Sequence, residues 1–113
     1  MTTTGALRPA FDALDSCEAA LAELDARCCE PGRSPSMKAL AETLTVARRG
    51  LDQDAGNQAI ADAVIAQLED AGAQVGRLQV GCCAPGRLPL YADLLEGLTT
   101  AQLTINSAAG RGH

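Results

Sequence analysis

The sequence predicts an all-α fold: an up-down-up-down four-helix bundle built from two tandem helical hairpins. Three observations carry this. Apolar residues recur at spacings of three and four along most of the chain, the period of an amphipathic helix. No segment shows the sustained period-two alternation of β-branched residues that a half-buried strand requires. One motif also occurs twice: Cys28-Cys29-Glu30-Pro31-Gly32-Arg33-Ser34-Pro35 returns as Cys82-Cys83-Ala84-Pro85-Gly86-Arg87-Leu88-Pro89. The match runs on, so that 11 of the 20 positions from Cys28 to Ala47 are identical at a constant offset of 54. Rare residues such as Cys and Pro coinciding twice point to an internal duplication, with each half one copy.

The first helix is expected from about residue 8 to 29. Leu7, Phe11, Leu14, Cys17, Leu21, Leu24 and Cys28 form its apolar stripe, and Pro9 suits a first turn, where a missing N–H costs nothing. Pro31-Gly32 stops it, because Pro cannot continue a helix and Gly accepts a left-handed turn. Ser34-Pro35 reads as the N-cap and first residue of a second helix, with Met37, Leu40, Leu44, Ala47 and Leu51 inward. Gly50 and residues 52–56 weaken the pattern, so a short linker is expected there. The third helix is expected over about 57–82, with Ile60 or Ala61, Val64, Leu68, Ala71, Val75, Leu78 and Cys82 on its stripe. Pro89 is expected to open the fourth, with Leu90, Leu94, Leu98, Ala101 and Ile105 inward. Such helices would be about 24–37 Å long, and connections this short make neighbours antiparallel.

The chain of 113 residues is read as one domain, with repeat units at about 7–52 and 57–107 and a disordered tail at 108–113. An isolated hairpin could not hide its apolar face, so the two units need each other. Lys+Arg 9 against Asp+Glu 14 leaves a formal charge of -5, which argues against nucleic acid as a partner because no basic surface would neutralise phosphates. Phe11 and Tyr91 are the whole aromatic complement, so base- and sugar-stacking platforms are excluded too. The single His, His113, excludes most His-based catalysis and His-ligated metal sites. No phosphate-binding loop, Ser/His/Asp set or long apolar span appears, and the N-terminus lacks the pattern of a signal peptide. A non-enzymatic cytoplasmic protein with no membrane contact is expected.

The chemistry-bearing residues are Cys28, Cys29, Cys82 and Cys83. In an up-down-up-down bundle both Cys-Cys-x-Pro-Gly-Arg loops fall at the same end, and four thiols converge from two distant segments. Soft thiolates select Cu(I), Zn²⁺ or an iron–sulfur cluster, and adjacent Cys suit a small multi-metal cluster better than chelation of one ion. Arg33 and Arg87 would then balance the thiolate charge as groups beside the bound metal. That reading is a four-cysteine site for storage, delivery or sensing. A second is a non-catalytic structural or interaction module, dimeric or engaging another protein, in which the Cys pairs are packing or disulfide elements. A third is a thiol redox protein, although the negative ends of the first and third helices disfavour thiolate.

Other residues are expected in plainer roles. Cys17, whose equivalent is Ala71, reads as core. Met37 and Tyr91 read as packing beneath the loops. Glu42 and Glu96 are expected to face outward, and Arg48 and Arg49 to lie in the last turn of the second helix, where the helix dipole favours cations.

Overall fold

Pro9 sits in the first turn of helix α1 (Arg8–Arg27), and the Leu7 carbonyl ahead of it accepts hydrogen bonds from the N–H groups of Ala10 at 2.9 Å and Phe11 at 3.1 Å. Helix α2 spans Pro35–Asp54, α3 Gln58–Gly81 and α4 Arg87–Ala108. This computed structural model describes residues 7–27, 35–54, 58–81 and 86–108, and no strand occurs among them.

Each helix buries one apolar stripe, although α4 also leaves Leu88, Leu95 and Leu103 exposed. Of the 24 buried apolar residues described, 22 form eleven pairs separated by 54 positions, from Leu7 with Ala61 to Leu51 with Ile105. The two left over are Ala13 and Ala20. Within the stripes the expectations need small corrections. Phe11 and Leu90 pack at the core's edge and are only partly buried. Of the two residues offered for the start of the α3 stripe, Ala61 is the inward one and Ile60 is partly buried, and Tyr91 is buried as expected.

The helices form a ring in which every neighbour is antiparallel. α1 packs against α4 and α2, and α3 against α2 and α4, while the diagonal pairs do not pack. The bundle measures 46 × 21 × 19 Å. Its most extensive interfaces are α1–α4 and α2–α3, which join one hairpin to the other. Packing within each hairpin is slighter. Each hairpin's apolar faces are therefore buried chiefly by the other hairpin, which is why neither half is a complete core.

Several boundaries differ from expectation. α2 runs through Gly50 to Asp54. The reason is packing: a Cβ at Gly50 would stand 2.7 Å from Val64 Cγ2, so Gly lets α2 approach α3 closely where its own propensity would end it. Arg48 and Arg49 therefore lie inside the helix, away from its last turn. α4 starts at Arg87, two residues before Pro89. The first four N–H groups of a helix have no internal partner, so Pro89 is tolerated at its third position. Gly86 precedes it with φ +68°, a left-handed conformation that Gly adopts without strain. α4 also includes Ala108, which the sequence assigns to a disordered tail.

Candidate metal centre

The antiparallel ring gathers four helix ends together: the last residues of α1 and α3 and the first residues of α2 and α4. One contact joins two of these ends. Arg27, the last residue of α1, lies against Gly86, just ahead of α4, where an added Cβ would stand 2.7 Å from Arg27 Nη1. Arg27 is held by Glu23, one turn earlier, through a bond of 2.8 Å from Nη2 to Oε1. Arg27 directly precedes Cys28, and Gly86 follows Cys83 by three residues. Cys28, Cys29, Cys82, Cys83 and Arg33 themselves lie outside the described residues. Arg87, the first residue of α4, is half-buried.

Beneath this end lies a packed layer. Among the described side chains, Leu24 and Leu78 are the last buried ones of α1 and α3, and Met37 and Tyr91 the first of α2 and α4. The Tyr91 hydroxyl donates to the Leu78 carbonyl at 3.5 Å, which gives its buried polar tip a partner. The Met37 thioether is 3% exposed and belongs to this packed layer.

The electrostatics of the end are more balanced than the sequence suggests. The C-termini of α1 and α3 carry partial negative charge and disfavour thiolate. The N-termini of α2 and α4 stand beside them with the opposite sign, and exposed N–H groups at such termini favour anions.

Cys17 stands apart. It is fully buried, and its Sγ donates to the Leu94 carbonyl at 3.5 Å. Burial pushes the thiol up to about 11, with the neighbouring Glu18 carboxylate adding to the effect. It is ten residues, about 15 Å of helix, from the end of α1. Among the described residues no group of three or more His, Cys, Asp or Glu could hold a metal ion. Glu42 and Glu96 are exposed, as expected.

Arg48 has a role the sequence reading missed. Its Nη2 bonds Glu18 Oε1 at 2.9 Å and also Asp15, tying α2 to α1, and its guanidinium lies 5.9 Å from the centre of the Phe11 ring. Burial works against the charge, but the hydrogen bonds and the two carboxylates outweigh it and raise the Arg48 pKa above its ordinary value. Gly97 was missed as well. It is buried within α4, and a Cβ there would stand 2.5 Å from Cys17 Sγ and 3.0 Å from the Ala13 carbonyl oxygen. An isolated Gly in a helical pattern was its available signal.

The chain matches no family model, no curated protein and no solved structure. No described helix is long and apolar enough to cross a membrane.

Proposed function

We propose that this end of the bundle binds a soft metal ion or a small metal–thiolate cluster through Cys28, Cys29, Cys82 and Cys83. The observation that carries the proposal is the contact of Arg27 with Gly86, which brings the chain entering the first Cys pair beside the chain leaving the second. The reading treats the two halves as copies of one hairpin, each contributing a Cys pair and an Arg to a shared site. Soft thiolates favour Cu(I) or Zn²⁺, and a Cys₄ set also suits an iron–sulfur cluster. Four thiolates around one divalent ion leave two negative charges in excess, which Arg33 and Arg87 would neutralise. The role read for such a site is storage, delivery or sensing, in a reducing compartment such as the cytoplasm.

The test is titration of the fully reduced protein with Cu(I) and, separately, Zn²⁺, alongside a variant with Cys28, Cys29, Cys82 and Cys83 all changed to Ser. The wild type is expected to take up metal stoichiometrically and the variant to lose that uptake while keeping its helical circular dichroism. Equal uptake by the two proteins, or none by the wild type, overturns the proposal.

A further inference from the structure

The outer surface between α1 and α4 carries a groove of about 750 Å³. Its floor is made of small residues, among them Ala13, Ala19, Ala20 and Gly97. The equivalent surface between α2 and α3 holds two smaller depressions, of about 320 and 310 Å³, that meet at Val46 and Gln67, and there Gln67, Gln74 and Thr43 stand in place of Ala13, Ala20 and Gly97. The larger groove is thus a local departure from the pattern shared by the two halves. Its rim is acidic. Asp12, Glu23, Asp93 and Glu96 line it, and no Lys or Arg does. Asp12 and Glu23, toward its two ends, pair with Arg8 and Arg27 on α1. Asp93 and Glu96 have no ion-pair partner among the described residues. Leu90 lines the groove, and Leu103, 64% exposed, lines the adjoining depression that shares Pro9 with it. At the positions of Leu90, Asp93 and Leu103, α2 carries Ser36, Ala39 and Arg49.

We infer that this groove docks an amphipathic helix of another protein, with small and apolar residues on its inserted face and Lys or Arg along its flanks. Small side chains on the floor let a helix approach closely, and the half-buried Leu90 and the exposed Leu103 offer apolar contact to residues at spacings of three and four. Carboxylates along the rim select cationic flanks and speed encounter. From Leu90 to Leu103 the groove and the adjoining depression together span about 20 Å, room for about 13 residues of helix. A second copy of this chain is a poor occupant, since its net charge of -5 repels and its nine Lys and Arg are scattered over both halves.

The probe is a synthetic 18-residue helical peptide with a Leu/Ala face and Lys flanks, compared with a scrambled peptide of equal composition. Amide resonances of ¹⁵N-labelled protein report the location. Changes are expected at Ala13, Ala20, Gly97 and Thr100 and not at Thr43, Gln67 and Gln74. The exposed pair Asp93→Lys and Glu96→Lys should weaken binding at least tenfold with helicity retained. Ala20→Gln, which installs the residue found at position 74, should weaken it through shape alone. No binding, equal binding of the scrambled peptide, changes spread over both grooves, or full affinity in the charge-reversed variant overturns the inference. So does a concentration-dependent shift of the same amides without peptide, which would assign the groove to a second copy.

Discussion

The α1–α4 and α2–α3 interfaces are equivalent at the offset of 54, yet they are filled in opposite ways. Between α1 and α4 the floor is small, and Gly97 lets the backbones of the two helices close in at Ala13. Between α2 and α3 the same places hold polar side chains that bond each other. Gln74 Nε2 donates to Thr43 Oγ1 at 3.1 Å and to Asp70 Oδ2 at 2.9 Å, and Thr43 Oγ1 donates to the Ala39 carbonyl at 3.0 Å. Gln67 Oε1 is buried there without a partner among the described residues. Near the opposite end of the bundle the sizes invert: Gly50 faces Val64 in one interface, where the other has Thr104 and Ala10 at the equivalent positions. The inner layers share one pattern while the outer seams differ, one with close approach and an open groove, the other with a hydrogen-bonded filling.

The strongest challenge to this comparison is to cut the shared inner layer. Leu44→Ala and Leu98→Ala each remove a buried side chain, 0% and 2% exposed, and should each cost about 2–5 kcal/mol in urea denaturation. Similar losses at the two positions are expected. A loss confined to one would mean that the halves do not share a core.

A difference in pH response should follow. Between pH 9 and 11 the unfolded Cys17 thiol ionises while the folded one keeps its proton, so the folded state holds more protons and stability falls as pH rises. The slope is on the order of 1.4 kcal/mol per pH unit across that window. It vanishes in Cys17→Ala, and since α3 has Ala71 at this place, the α2–α3 seam has no counterpart. Denaturant melts of both proteins at pH 8, 9 and 10 check it.

Exchanging the seam residues comes next. Gly97→Thr forces a side chain onto Cys17 and the Ala13 carbonyl and should cost about 1–3 kcal/mol. The reverse exchange, Thr43→Gly, loses helix propensity and the part-exposed hydrogen bonds of the hydroxyl with Gln74 and the Ala39 carbonyl, and should cost about 1 kcal/mol. If Gly97→Thr proves the milder of the two, the close approach of α1 to α4 is not what distinguishes the seams.

The smallest effect belongs to Arg48→Ala. Its carboxylate partners, the exposed Asp15 and the half-buried Glu18, both reach solvent, so thermal melts should show a loss of about 0.2–1 kcal/mol, diminishing with added salt.

The inner layers were legible because helical burial is periodic. Leucines at spacings of three and four announce which face is covered, and the offset of 54 announces it twice. The seams were harder to read, because Ala13, Ala20 and Gly97 are small, and a small residue in a helix is as common on a surface as against a neighbour. Helix boundaries failed where packing overrode propensity, as at Gly50, or where a Pro sat among the unpaired N–H groups of a first turn, as at Pro89. The Arg48 bridge was invisible because its partners lie 30 and 33 residues away on another helix. For the four motif cysteines the sequence offered residue types and spacing, and the fold has added the meeting of their neighbours Arg27 and Gly86.

Pro9, near the start of α1, shares a groove wall with Ser107 and Ala108, at the end of α4. The polypeptide therefore closes on itself like a ring with one gap. A circularly permuted protein, joined from α4 to α1 by a short linker and opened between α2 and α3, would present the helices in the order α3, α4, α1, α2 and retain the same packing neighbours. Its folding would show that the interfaces between helices, rather than the order in which the chain visits them, specify this bundle.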